Sequence, residues 1–392
     1  MQGHIHKRVR TDRHGKETVR WYVVIDRGFD HGGRRRQKWH GGFRTRHEAE
    51  AVQAKLVTDV NTGSCVAPSR TTVGDWITDS WLPMTEPRVE PSTFFSYKRN
   101  LEIHLLPALG SKLLQQLTPP MLTVLYANLA AGSESRRPLS AKTISYIHST
   151  VHKVLADAID VGLLGRNVAA SAKPPRPARR ATDGINAWEP NELTAFLAEV
   201  RGSRLEAIWR LSAMTGMRRG EILGLRLSDL DLDRSRLSVR QAIVSVGYEI
   251  VHSTPKSHSA RVIDLHAETV DQLRAHRTRQ EAERGEWGAE FQDHDLVVAK
   301  ENGEPIHPHT FSQAFERLIE EANLRRIRLH DLRHTHATLA LKAGVPVNVI
   351  SEWLGHESPA FTLKQYAHVI PAMQAEAAAQ VAAMIDGPPG SV

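Results

Sequence analysis

Between Ser171 and Asp183 the chain reads SAKPPRPARRATD. Prolines at 174, 175 and 177 bar regular structure and stiffen the run toward an extended form. The run therefore divides the chain, and 173–183 reads as an interdomain strap. A second interruption, Asn61–Ser69, is polar and carries Gly63 and Pro68. A length of 392 residues fits two or three domains, each able to bury its own core. The segments are 1–62, 71–172 and 184–392.

The three segments carry different periodicities. In the first, Val19–Asp26 is a β-branched and aromatic run, and Gly32-Gly33 signals a turn before Arg34–His40. A short hairpin or a three-stranded sheet follows from that. Thr45 then opens a helix through about Val60, with Glu48 completing a capping box. The second segment is helical. Helices are expected at Thr72–Trp81, at Ser92–Leu106, after the Thr118-Pro119 start signal, and at Ser140–Leu163. The last bears Ile144, Ile147, Val151, Val154, Leu155, Ala158 and Ile159 at helical spacing, a core-facing stripe.

The third segment is mixed. Helices are expected at Pro190–Val200, Leu205–Thr215, Arg219–Leu225, Ala267–Glu283, Pro308–Ala322, Asp331–Ala343, Val347–Leu354, Phe361–His368 and Pro371–Met384. Arg236–Val244, Gly247–His252 and Ala260–Leu265 read as a three-strand meander. Asn302-Gly303 signals a hairpin between Leu296–Ala299 and Glu304–His307. The expected fold is multidomain and mainly α with small β-sheets.

Charge is distributed unevenly. Residues 1–46 hold 13 Lys and Arg against 4 Asp and Glu, a balance of +9, while the rest of the chain is at −2. Basic residues there interleave with Trp21, Tyr22, Val23, Val24, Ile25 and Trp39. Such a module reads as a polyanion binder, with Arg34, Arg35, Arg36 and Lys38 as candidate contacts. Lys98 and Lys142 are candidates in the helical segment, and Arg176, Arg179 and Arg180 in the strap. The single cysteine, Cys65, cannot form an internal disulfide, which fits a reducing compartment. No apolar leader and no long uncharged apolar run are present, so neither export nor a membrane span is expected.

The chemistry concentrates late in the chain. The words are Thr215-Gly216-Met217-Arg218-Arg219-Gly220-Glu221, then Leu329-His330-Asp331-Leu332-Arg333-His334-Thr335, then Leu354-Gly355-His356-Glu357, then Lys364-Gln365-Tyr366. Arginine binds phosphate through a planar fork and keeps its charge. Two arginines from different words can clamp the two non-bridging oxygens of a phosphodiester. Arg218 or Arg219 can supply the first, next to a helix start that favours anions, and Glu221 can orient it. Arg333 supplies the second. His330, three residues before Arg333, shares its face and can bind phosphate or move a proton. Tyr366 is a nucleophile if charge neutralisation and a base offset its high pKa. A metal reading exists, because His330 and His334 have the spacing of zinc-binding helices. Against it, Asp331 stands where a general-base Glu would be, and Arg333 would sit beside the cation. His334 and His336 read instead as packing or helix-surface residues.

This ordered set, R…K…HxxR…H…Y, resembles the tyrosine recombinases, the phage-type integrases. The resemblance covers 71–370 well and 1–60 loosely. It selects Arg218 as the catalytic arginine two residues after the glycine. It assigns Lys256, in the turn Thr254-Pro255-Lys256-Ser257-His258, to protonating the leaving oxygen, and His356 to binding phosphate. It implies an arm-site-binding module, a helical core-DNA-binding domain and an α+β catalytic domain. It further implies a site-specific DNA recombinase of a phage or other mobile element, working through a 3′-phosphotyrosyl bond and a Holliday junction. No metal or cofactor is implied. Implied partners are double-stranded DNA attachment sites and further copies in a synaptic tetramer, with room for a host DNA-bending protein and a directionality factor. A cytoplasmic, nucleoid-associated location follows. Two alternatives remain open at this point: a type IB topoisomerase-like enzyme and an inactive DNA-binding relic.

Overall fold

The computed structural model describes residues 3–11, 17–29, 35–61, 66–176, 186–254 and 260–366, with five tail positions at 378, 381, 382, 384 and 385. Outside them lie Arg34, Arg179, Arg180, Lys256, the Gly32-Gly33 turn, most of the tail helix and the latter part of the strap. The side chains of Arg35, Arg36 and Lys38 also lie outside. The chain divides into two compact units, Met1–Ala178 and Arg179–Val392.

The first unit opens with a three-stranded antiparallel sheet of β1 (Gly3–Thr11), β2 (Glu17–Phe29) and β3 (Arg35–Phe43), in that order. The three-stranded alternative is the one that forms. Helix α1 (Arg46–Asn61) starts as the sequence indicates, with Thr45 Oγ1 accepting from the Glu48 N–H at 3.2 Å. Its Ala49 and Val52 pack on Ile5, Trp21, Val23 and Phe43, which alternate onto one face of the sheet.

The helical part of this unit contains α2 (Val73–Asp75), α3 (Leu82–Thr85), α4 (Pro91–Asn100), α5 (Leu106–Leu109), α6 (Pro119–Ala131) and α7 (Ala141–Asp160). Two π-helical stretches, Trp76–Trp81 and Leu101–Leu105, join α2 to α3 and α4 to α5. The expected helix at Thr72–Trp81 therefore runs further, and Ser92–Leu106 extends to Leu109. The α7 stripe is buried from Ile144 through Ala158. Trp76 and Trp81 lie against it and donate their indole N–H groups to Val154 O (3.1 Å) and Asp157 Oδ2 (2.7 Å). Each buried indole thus finds the polar partner it needs.

The second unit is built around an aromatic cluster of Trp188, Phe196, Trp209, Phe311 and Phe315, in which Trp209 stacks on Phe311 at 4.5 Å. Its helices are α8 (Pro190–Glu199), α9 (Glu206–Thr215), α10 (Arg219–Leu223), α11 (Ala267–Trp287), α12 (Pro308–Glu321), α13 (Leu329–Lys342), α14 (Val347–Leu354) and α15 (Pro359–Tyr366). Two sequence expectations fail here. The stretch 236–244 is not one strand of a meander. It breaks at Arg240-Gln241 into β5 (Arg236–Val239) and β6 (Ala242–Val246). The short β4 (Leu230–Asp231) pairs with β5, and β5 pairs with the distant β8 (Arg261–Asp264), while β6 forms a separate hairpin with β7 (Glu249–Ser253). At Asn302-Gly303 the turn forms, with the Gly303 N–H on Lys300 O, but its arms share only the Ala299–Pro305 bridge. Segment 296–298 instead pairs with the α10 exit, through Val297 N–H to Leu225 O at 2.9 Å. Local turn signals identified both places; nonlocal pairing decided what the strands do.

Candidate active site

Each arginine of the site is placed by a helix end. Gly216 closes α9 in the left-handed region (φ 60°), and a Cβ there would come within 2.8 Å of Leu354 and 2.9 Å of His336. This tight turn puts Arg218 at the cap of α10. Its backbone N–H and Nη1 both donate to Glu221, at 2.9 and 2.8 Å, as the i, i+3 spacing suggested. Arg219, the rival in the sequence, points elsewhere and donates to Ser312 Oγ on α12 at 2.8 Å.

Helix α14 ends in a left-handed Gly355 (φ 60°), and its last carbonyls collect three guanidinium groups. Arg261 Nε donates to Trp353 O at 2.8 Å, Arg333 Nη2 to Leu354 O at 2.7 Å, and Arg218 Nη2 to Gly355 O at 2.9 Å. The negative end of a helix dipole suits exactly such cations at its carbonyls. Arg333 also reaches back to Gly216 O at 2.8 Å, so it ties the two turns together. It is only 4 % exposed. Burial and the neighbouring Arg218 push it down to about 9, which still leaves it charged at neutral pH. Beneath, Glu221 is 1 % exposed. Burial pushes its carboxyl up, but hydrogen bonds from Arg261 and Arg218 outweigh that and hold it below the usual range.

Histidines and the tyrosine complete the cluster. His356 follows Gly355, and its Nδ1 lies 2.7 Å from the buried Thr362 Oγ1, which fixes the ring. Burial, then the charges of Arg333 and Arg218, push it down to about 3. His330 stands at the surface end of α13 and is also held low, by partial burial and by Arg333. Tyr366 ends α15, 1 % exposed, and burial pushes its phenol up to about 12. Its hydroxyl lies 2.9 Å from His334 Nδ1.

Arg218, Glu221, Arg333, His356 and Tyr366 are thus gathered around one helix end, with His330 on the same helix as Arg333. Lys256 lies outside the described residues. Two participants were missed in the sequence. His334 read as a packing or helix-surface residue, because its partner is 32 positions away. Arg261 was passed over because its partner Glu221 lies 40 positions away. Its alternation on β8 (Arg261 and Ile263 buried, Val262 exposed) was the available signal.

In the first unit, the sheet face opposite α1 presents a second polar surface. The register sets Arg8 directly across from Arg20, with Arg10 two residues along β1. Like charges paired across strands are unfavourable without a counter-charge. His6, Tyr22 and Trp39 share the surface, with His6 and Tyr22 ring-edge to Trp39 at 5.3 and 6.2 Å. Of the earlier candidates, Lys98 sits 3.9 Å from Glu102, and Lys142 and Arg176 are exposed.

Comparison with known proteins gives three family matches in chain order. They are an arm DNA-binding domain at residues 8–60, a phage integrase N-terminal SAM-like domain at 73–128, and the phage integrase family at 186–373. A tyrosine recombinase XerC-like protein of Caldanaerobacter subterraneus is 26% identical over 382 residues, covering 93% of this chain and 96% of the relative. The ICEBs1 integrase of Bacillus subtilis is 25% identical, covering 92% and 96%. Among solved structures, a Tn1549 transposon integrase in complex with circular intermediate DNA superposes with TM-score 0.62 at 18% identity, over 76% of this chain and 95% of that one. A lambda integrase tetramer bound to a Holliday junction gives 0.56 at 17%, over 91% and 94%. Both share the fold. No helix among the described residues is long and apolar enough to cross a membrane.

Proposed function

This chain belongs to the phage integrase family of tyrosine recombinases, and from that premise we propose that it cuts and rejoins DNA at specific sites with Tyr366 as nucleophile. The observation that carries the reading is the convergence of Arg218, Arg333, His356 and Tyr366 around the end of α14. A guanidinium has five N–H donors, and Arg333 and Arg218 each spend two of their side-chain nitrogens on protein acceptors. The remaining donors serve the two non-bridging oxygens of a scissile phosphate. These donors are held before the substrate arrives, so stabilising the transition state requires little reorganisation.

Tyr366 Oη attacks phosphorus, and the bond to the 5′-oxygen breaks. The products are a 3′-phosphotyrosyl bond and a free 5′-hydroxyl. Lys256 is the assigned donor of the proton to that oxygen, and His330 and His356 bind the phosphate. The covalent bond conserves the energy of the phosphodiester, so a second strand can be joined without ATP, through a Holliday junction. Attachment-site duplexes and further copies in a synaptic tetramer are the partners of this reading, with a host bending protein and a directionality factor as accessory candidates.

Three domains serve it: residues 1–62 on arm sites, 71–172 on the core site, and 184–392 for catalysis, with 173–183 as strap. Arg8, Arg10 and Arg20 are the arm contacts that the sheet register favours. Lys98, Lys142 and Arg176 remain candidates on the core side. The decisive experiment uses a nicked suicide substrate. Tyr366→Phe is expected to bind core-site DNA normally and to form no covalent adduct. Protein-linked DNA from that variant on a denaturing gel would move the nucleophile to another tyrosine.

A further inference from the structure

We propose that His334 is a catalytic residue that accepts the phenolic proton of Tyr366 as the tyrosine attacks DNA. The inference rests on the reading of Tyr366 as nucleophile and adds a residue that reading does not include.

His334 Nδ1 lies 2.9 Å from Tyr366 Oη, within the distance a general base needs. The imidazole is set by its place on α13. It follows Arg333 directly, and its ring meets the edge of His330 at 5.0 Å. Facing it on that helix are His330, Asp331 and Arg333, with Arg328 at the helix cap and Tyr366 from α15. Burial, the neighbouring His330 and the arginines outweigh the opposing Asp331 and push His334 down to about 4. The ring is therefore neutral at neutral pH. With Nε2 carrying the hydrogen, Nδ1 presents a lone pair to the phenol.

Before DNA binds, the phenol keeps its proton, since Tyr366 sits at about 12. The contact is then a hydrogen bond from Tyr366 O–H to His334 Nδ1. When the Oη–P bond forms, the phenolic oxygen loses electron density to phosphorus and its proton becomes acidic. That proton passes to Nδ1, giving an imidazolium, while the P–O5′ bond breaks and O5′ takes a proton from a separate acid, for which Lys256 is assigned. Religation returns both protons by the reverse transfers. No co-reactant is required. The new imidazolium adds positive charge beside the arginines as the phosphoryl oxygens gain negative charge, which favours the transfer at that moment. His330, the histidine that the sequence put forward for this step, is left to the phosphate.

The test is single-turnover cleavage of a suicide substrate by the full chain, with His334→Asn and His334→Gln. Asn places a polar atom near the Nδ1 position and keeps a hydrogen bond to the phenol without a basic nitrogen. Folding is verified by thermal melting and by core-site affinity. Both variants should bind DNA normally and cleave at least about 100-fold more slowly, the usual contribution of a positioned base. A substrate with sulfur in place of the bridging 5′-oxygen needs no acid for its leaving group. It should rescue Lys256→Ala and leave the His334 variants slow. A fluorinated, more acidic tyrosine at position 366 should do the reverse.

Wild-type cleavage by His334→Asn would reduce the contact to a docking hydrogen bond and overturn the proposal. Rescue of the His334 variants by sulfur would overturn it too, by moving His334 to the leaving-group side. Failure of the underlying reading looks different: Tyr366→Phe would still form covalent DNA, whatever His334 does.

Discussion

Arg261 and Glu221 form a two-pronged ion pair, with Nη2–Oε2 at 2.7 Å and Nη1–Oε1 at 3.1 Å, in a place where neither side chain is more than 8 % exposed. The same carboxylate receives Arg218, and the same guanidinium holds Trp353 O. One buried pair therefore joins the cap of α10 to the end of α14, the two elements that position Arg218 and His356.

Arg261→Ala removes the two-pronged partner and leaves the buried Glu221 with Arg218 as its remaining counter-charge. The loss of stability is expected to reach at most about 3–5 kcal/mol, the range for breaking a buried pair. The double substitution Arg261→Met with Glu221→Leu should recover much of that in a urea melt, because an apolar pair of similar volume avoids desolvation. Cleavage should stay low in the double variant, since Arg218 has lost its anchor. Full activity together with recovered stability would show that the pair only holds the fold.

The arginine register can be read from kinetics. Arg218→Ala and Arg333→Ala should each lose roughly 2.7–4 kcal/mol of transition-state stabilisation, by comparison with oxyanion donors. Affinity for core-site DNA should change far less. Arg219→Ala, which gives up only a contact to Ser312, should cleave nearly as the parent does. A dead Arg219→Ala beside an active Arg218→Ala would shift the site by one residue.

Acid sensitivity should begin early. His334 and His336 are held at about 4 and His356 at about 3, each mainly by burial. In the unfolded chain these groups titrate near 6.5. The unfolded state therefore binds more protons as pH falls, and stability rises with pH across that interval. The contribution is complete above about pH 6.5 and drains away toward pH 4 and then 3. Glu221 and Asp331, held low by arginines, add their own loss only below the ordinary carboxylate range. Melting temperatures at pH 7.5, 5.5 and 4.5 check this; a flat profile between the first two would contradict it.

The N-terminal sheet makes a separate prediction. A chain starting near Ser69 should keep covalent chemistry on core-site oligonucleotides and lose recombination of full attachment sites, which requires two DNA-binding modules on one chain. In the full chain, Arg8→Ala and Arg20→Ala should each lower the salt slope of arm-site binding by about 0.9, one phosphate contact apiece. Identical footprints from full-length and truncated proteins would make the segment a non-specific anchor.

Local pattern alone determined much of this protein. The α7 stripe, the bounds of α14 at Val347–Leu354, the glycine turn before Arg218 and the Arg218–Glu221 pair depend on neighbours within a turn or two of the chain. The order of the arginine, histidine and tyrosine words, from Thr215 to Tyr366, is read directly from the chain. Tertiary structure decided what joins them. The β5–β8 pairing spans the β6–β7 hairpin, so alternation within 236–265 could not say which strands meet. Arg261 and Glu221 are 40 residues apart, and no spacing rule couples them. His334 is the plainest case. Its helical spacing from His330 suggested a metal, and only the packing of α15 against α13 and α14 brings Tyr366 Oη to its Nδ1. Periodicity tells which face of an element is buried; it carries no information about which distant side chain arrives on that face.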